Sequence, residues 1–229
     1  MPYAIDEAMA TALVTLFPRL VQRSPEPVKV ALQRLLDEEH ARRGVPDATG
    51  ALNPLALTQG TLLKEEFDLS THAHHAGWTL GALIADVKGM IHVNARHGFP
   101  AGDAMLRAVV ESLRSQFPGA KLVRLQGDNF AVLLVPTSGL TVTEALREPT
   151  RSRLSADARA VLPAGAEAPD FTLALLELTI EQPTHWQVLG PLVWGELERA
   201  YTLERMGNAG GLQKRRIQLG GFVPGRSES

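Results

Sequence analysis

Apolar positions recur along the chain in two rhythms, one helical and one alternating. Near the start, Met9, Leu13, Leu16, Leu20 and Val21 keep helical spacing, and Pro18 predicts a bend among them. A second helix is expected to open at Ser24–Pro27, since proline is tolerated in a first turn. It carries Val28, Val30, Leu32, Leu35 and Leu36 and stops at Gly44, before Pro46. These two helices predict an N-terminal helical extension over residues 1–46. Residues 45–53 contain proline, glycine and asparagine and read as the connection at a domain boundary.

Beyond the connection, helical and strand-like stretches alternate. A helix is expected over about 54–68, a strand over 78–86, then a turn, a short helix and a longer helix near 102–116. That longer helix places Leu106, Val109, Val110 and Leu113 on one face. Two β-rich runs, 121–125 and 130–135, flank Gln126-Gly127-Asp128-Asn129. Glycine, aspartate and asparagine accept positive φ at low cost, so this is a hairpin. A helical stretch over 141–161, an apolar strand over 171–180, a helix near 187–207 and a short strand over 213–219 follow. The fold class is α+β, a sheet with antiparallel pairs and helices packed on it. The expected domains are the extension (1–46), the α+β domain (47–219) and a Gly/Ser-containing tail (220–229).

Composition narrows the function classes. A chain of 229 residues buries roughly 70–75% of its unfolded surface, enough for a core without staples. The absence of cysteine removes disulfides, thiolate zinc sites and cysteine nucleophiles. Lys and Arg total 23 against 25 Asp and Glu, so no positive field draws nucleic acid or an anionic membrane. No apolar run approaches the ~20 residues that span a bilayer. Asp6 and Glu7 stand where a secretory signal would be basic. A cytoplasmic protein is expected, with neither nucleic acid nor membrane as partner.

The candidate chemistry lies between residues 80 and 135. Asp86 ends a strand and Asp128 sits in the hairpin turn, so neighbouring strands would bring the two carboxylates to one sheet edge. Hard oxygen ligands so placed suit Mg²⁺ shared with nucleotide phosphates. Asn94 and Asp103 supply an amide and a carboxylate that can read a guanine edge.

The run Asp86-Val-Lys-Gly-Met-Ile-His-Val-Asn94-Ala-Arg-His-Gly98-Phe-Pro-Ala-Gly102-Asp103, followed by Arg124-Leu-Gln-Gly-Asp-Asn-Phe130, resembles the GGDEF domain of diguanylate cyclases. The register holds without a gap across Asp86, Asn94, Gly98, Gly102 and Asp103. Asp47 to Asn53 is similar to the family's opening motif, and Ala200-Tyr201 with Gly207 to its closing one. The resemblance implies a nucleotide-cyclase palm-like central sheet with flanking helices over about 46–219. In active members two GTP-loaded domains meet, and each 3′-hydroxyl attacks the other's α-phosphate to give cyclic di-GMP. By position, Asp86 and Asp128 would be metal ligands, Asn94 and Asp103 would recognise guanine, and Gly127 would admit phosphate close to the backbone.

The departures fall on the catalytic signature, here Gln126-Gly127-Asp128-Asn129-Phe130. Asn129 replaces an acid and can act neither as base nor as metal charge. On a strand continuing past Asp86, Lys88 would share its face and oppose a metal. Glu204 inverts the charge of the family's phosphate-clamping lysine, and the following arginine falls on Asn208. The inhibitory R-x-x-D motif is replaced by Phe117-Pro118-Gly119-Ala120.

The expectation is therefore a GGDEF-like domain without catalysis, not an enzyme. It would act as a regulatory or protein-interaction module in bacterial cyclic-di-GMP signalling, with a weakly active cyclase or a nucleotide-independent scaffold as alternatives. No cofactor is required, and Mg²⁺ is expected only if nucleotide binds. Partners would be another protein or a second copy through the N-terminal helices, with GTP or cyclic di-GMP as ligands.

Simpler roles stand beside these. Asp103 is an N-cap candidate, Asn94 and Gly98 suit a turn, and Phe130 suits the core. His72, His74 and His75 read as solvated surface rather than a metal site. Arg151, Arg153 and Arg159 read as a solvated helix face, Lys214-Arg215-Arg216 as an edge strand, and Trp78, Trp186 and Trp194 as core or interface.

Overall fold

The computed structural model describes residues 46–58, 62–63, 78–180, 186–207 and 211–217, with Val30 and Arg34 as isolated helical positions. The rest of the N-terminal extension, the three-histidine cluster, Asn208 and the tail lie outside the described residues.

The elements run α1 (Pro54–Thr58), β1 (Trp78–Val87), α2 (Met90–His97), α3 (Phe99–Gln116), β2 (Lys121–Gln126), β3 (Asn129–Leu134), α4 (Arg147–Ala160), β4 (Phe171–Ile180), α5 (Trp186–Arg205) and β5 (Gln213–Ile217). The strands form one sheet in the order β2-β3-β1-β4-β5. β1 is antiparallel to β3 and β4, β2 is antiparallel to β3, and β5 joins β4 in parallel. The α+β class stands.

Side-chain alternation along the central strands splits the core into two layers. Leu83, Ala85 and Val87 of β1 join Phe130, Val132, Leu173 and Leu175 beneath α3 and α4. Leu80, Ala82 and Ile84 join Ala131, Leu133, Ala174 and Leu176 beneath α1 and α5. Each fully buried Leu or Ile there contributes about 1.5–3 kcal/mol relative to exposure. Gly190 lets α5 approach α1, because a Cβ on it would collide with the Leu57 carbonyl.

Residues 47–53 are pinned to the edge of β2. Leu52 N–H donates to the Leu122 carbonyl and Arg124 N–H to the Leu52 carbonyl, both at 2.8 Å. Arg124 also pairs with Asp47 at 3.2 Å, and Arg114 donates to the Gly50 carbonyl.

Three local expectations change. Asp103 is not an N-cap: α3 starts at Phe99, with Gly98 (φ +81) preceding it and Pro100 in its first turn, so Asp103 lies inside the helix. The helix expected over 54–68 ends at Thr58 among the described residues, and Leu62–Leu63 form a turn. The expected strand and hairpin lengths shift by a residue, with β2 running to Gln126 and β3 starting at Asn129. β5 is an edge strand as expected, with Lys214 paired to Glu177 at 3.1 Å. Trp194 packs against the α5-side core.

Candidate functional site

The sheet's alternation determines what stands at the end of β1. The positions that are apolar on the α5 face further along each strand become Asp86 on β1, Asn129 on β3 and Thr172 on β4. Register places Asp86 opposite both Asn129 and Thr172, so the three form one polar row across three strands. Tyr201, near the end of α5, lines the same cavity, and its phenol interacts with Asp86 and Asn129.

Gly127 and Asp128 make the two-residue turn between β2 and β3. Gly127 has φ +49, and nothing lies within 4 Å of where its Cβ would be. The turn is held by two bonds: Val87 N–H to the Asp128 carbonyl at 3.3 Å, and Arg124 Nε to the Gly127 carbonyl at 2.7 Å. These contacts set Asp128 beside Asp86. Burial first, and then the Asp128 carboxylate, hold the Asp86 carboxyl above its ordinary range, against the opposing pull of Tyr201, Arg205 and Lys88. Burial likewise raises the Tyr201 phenol.

Asp86, Gln126, Gly127, Asp128, Asn129 and Tyr201 line a cavity of about 900 Å³, within the usual range of small-ligand sites. Its far wall is the end of α5, its near wall the start of α2. Asn94 and Asp103 do not line it. They form a second pair on α2 and α3, with the Asn94 amide packed against Gly102, next to the exposed Asp103. Asn94 Oδ1 is buried and has no hydrogen-bond partner among the described residues. Met90, Ile91 and His92, one turn earlier on α2, line the cavity, so the two clusters share a helix.

The structure therefore brings together Asp86, Gln126, Gly127, Asp128 and Asn129, and separately Asn94 and Asp103. Phe130 is fully buried, as expected of core.

Tertiary partners modify two expectations about charge. Lys88 is not a free cation: beyond the end of β1 at Val87 its ammonium pairs with Asp170 at 2.8 Å, while the residue still lines the cavity and acts on Asp86. Glu204 does not present a bare carboxylate, because Arg147 holds its Oε1 at 2.7 Å. Arg147 also binds Glu144 and the Leu173 carbonyl. Nor is the arginine run of α4 a uniformly solvated face. Arg153 pairs with Asp157 at 2.8 Å, but Arg151 lines the cavity.

Sequence reasoning missed Thr172, Arg151 and Arg205 as cavity residues, and held Tyr201 only as part of a terminal motif. Period-two alternation counted back from Ala174 gives Thr172 the face of Asp86. The i, i+4 relation links Tyr201 to Arg205.

Two carboxylates that repel each other on a cavity wall are a fitting donor set for a hard divalent ion. Among the described residues no third histidine or acid joins them. A metal there would depend on Asp86, Asp128 and oxygens from its ligand, the usual arrangement for Mg²⁺ with phosphates.

Comparison with known proteins agrees with this layout. Residues 57–161 match the family described as diguanylate cyclase, GGDEF domain. Diguanylate cyclase TpbB of Pseudomonas aeruginosa (strain UCBPP-PA14) is 35% identical over 106 residues, 45% of this chain and only 23% of that protein's length. The crystal structure of diguanylate cyclase SiaD with its activator SiaC, from Pseudomonas aeruginosa, aligns with TM-score 0.51 at 16% identity, covering 92% of this chain and 78% of that one. The coiled coil and GGDEF domain of DgcB from Caulobacter crescentus, in complex with c-di-GMP, aligns with TM-score 0.50 at 17% identity, covering 89% and 100%. At such identities these two structures speak for the fold.

The expectation that the chain is not an enzyme does not stand: the family match and the similarity to TpbB both point to diguanylate cyclases. Residues 57–161 are thus similar to the GGDEF domain of diguanylate cyclases.

Proposed function

We propose that the domain, over residues 47–219, binds GTP with a divalent cation in the cavity at the end of β1 and condenses it slowly to cyclic di-GMP. The observation that carries this reading is the pairing of Asp86 with Asp128 on the wall of a nucleotide-sized cavity. Asp86 and Asp128 would hold the ion, Mg²⁺ in the cell, whose charge would orient and polarise the phosphates. Gly127 leaves room for phosphate beside the turn, and Tyr201 steers the Asp86 carboxylate. Asn94, with its unpartnered acceptor, and Asp103 would take the guanine N–H donors.

Each turnover joins two GTP molecules and releases two pyrophosphates, so a second copy must meet the first. The residues preceding the domain would supply that association, in the GTP-containing cytoplasm. Asn129 cannot take the proton of an attacking 3′-hydroxyl, which makes the rate slow.

Purified protein with GTP and Mg²⁺ or Mn²⁺ is expected to form cyclic di-GMP. Asp128→Ala should abolish it and Asn129→Glu should raise it. Neither product nor GTP binding at roughly millimolar ligand would overturn the reading.

The same neutral Asn129 favours a second role, in which the nucleotide-bound domain regulates a protein partner. Partner capture that depends on GTP and is lost in Asp128→Ala would support it; capture indifferent to nucleotide would leave a scaffold.

A further inference from the structure

Glu204 occupies the α5 wall of the cavity, yet it is not the wall's net charge. Its Oε1 is bound to Arg147, and the two side chains are 15% and 12% exposed. The following residue, Arg205, is exposed and lines the same cavity. Among the described residues its guanidinium forms no salt bridge, acts on the Asp86 carboxyl at longer range and donates to Tyr201 Oη at 3.5 Å.

From the other face of the sheet, α4 brings Arg151 to the cavity. Its Nη1 pairs with Glu148 at 2.8 Å, while its Nε is buried without a partner among the described residues. Packing does not account for these two groups. Arg205 acts on Asp86 without an ion pair to it, and Arg151 keeps its Nε free of a partner among the described residues, so both have donors left for an incoming anion. The planar fork of N–H groups on a guanidinium fits phosphate oxygens two at a time. A metal-bound triphosphate next to Asp86 and Asp128 keeps excess negative charge, which fixed cations must offset.

We propose that Arg205 and Arg151 grip the β- and γ-phosphates of a nucleoside triphosphate from opposite faces of the sheet. The phosphate clamp of this chain then comes from α4 and from the residue after Glu204. This inference rests on the GTP reading above.

Calorimetry in Ca²⁺, chosen to suppress turnover, with GTP, GMP and inorganic tripolyphosphate as probes, tests the two separately. The wild-type chain is expected to bind GTP more tightly than GMP. Arg205→Ala and Arg151→Ala should each cut that preference about ten-fold while leaving GMP affinity in place. Arg205→Lys should restore part of it, and the double variant should lose tripolyphosphate binding. Arg153→Ala removes the same charge from a side chain paired with Asp157, away from the cavity, and should change nothing. Arg205 is exposed, so its variants fold even if Arg151→Ala does not, and thermal unfolding checks each.

A GTP-to-GMP preference unchanged in Arg205→Ala and in the double variant would overturn the clamp and leave the GTP reading standing. Arginine-dependent tripolyphosphate binding without any GMP binding would support the clamp and overturn the guanine assignment. No binding of GTP or tripolyphosphate would overturn both.

Discussion

Replacing Gly102 by alanine separates folding from nucleotide binding in a single step. Gly102 is buried inside α3, where glycine costs about 1 kcal/mol relative to alanine. A Cβ there would overlap Asn94 Oδ1 and lie 3.1 Å from both Asn94 Cγ and Met90 Cε. The obstacles are ends of flexible side chains, not backbone, so Asn94 can rotate away at the cost of a rotamer change, about 0.5–1 kcal/mol. Rotation also frees an acceptor that is now buried without a partner. Those effects offset one another, and stability should stay within about 1 kcal/mol of wild type, on the stabilising side.

Binding should move the other way in Gly102→Ala. Asn94 displaced from the α2–α3 groove loses a hydrogen bond to the base, about 1 kcal/mol or roughly five-fold in GTP affinity. Urea denaturation measures the first quantity and calorimetry with GTP the second. Unchanged GTP affinity would remove Asn94 from the base pocket. A loss of more than about 1 kcal/mol in stability would show that the Asn94 side chain is locked in place.

Three further outcomes follow from the packing and the charges. Gly190→Ala drives a Cβ into the Leu57 carbonyl, a backbone atom that cannot swing aside, and should cost about 2–3 kcal/mol in chemical denaturation. Arg147→Ala leaves Glu204 without its cation at a nearly buried site and should cost about 2–3 kcal/mol, with Glu204→Gln in the same background recovering part. Asp128→Asn keeps the turn chemistry while removing the repulsion on Asp86. Because the Asp86 carboxyl is held above its unfolded value, metal-free stability declines as pH rises from the unfolded pKa of 3.8 through the raised folded one. Thermal melts in chelator should show that decline flattened in Asp128→Asn, together with weaker Mg²⁺ binding; an unchanged pH profile would mean the two carboxylates do not interact.

What the sequence disclosed about the site was local in the chain, and what it hid was not. The ungapped spacing from Asp86 to Asp103 survives into the fold because β1, α2 and α3 follow one another with only glycine turns between them. The hairpin Gly127-Asp128 was legible because two adjacent residues decide it. The pairing of Lys88 was hidden because its partner Asp170 lies 82 residues away in the loop before β4. Glu204 was misread for the same reason, its neutralising Arg147 being 57 residues upstream on another helix. Charge at a single position says little until the partner delivered by the tertiary fold is known.

Three of the departures from the family's pattern, at Gln126, Asn129 and Glu204, therefore differ in weight. Gln126 is exposed at the end of β2, where a long side chain meets no core and can fold back over the cavity or away from it. Glu204 is tied into an ion-pair network that joins α4 to α5 and contributes to folding, while its neighbour Arg205 keeps a cation at the cavity. Only Asn129 sits in the polar row itself, directly opposite Asp86 and beside Tyr201. An acid there would add a third carboxyl beside Asp86 and Asp128, where burial and Asp128 already raise the Asp86 carboxyl above its ordinary range. The amide relieves that repulsion in the metal-free protein and removes a base from the reacting face in the same substitution. Restoring glutamate at 129 should thus lower metal-free stability and raise cyclic di-GMP formation together, an opposition that neither Gln126 nor Glu204 variants should reproduce.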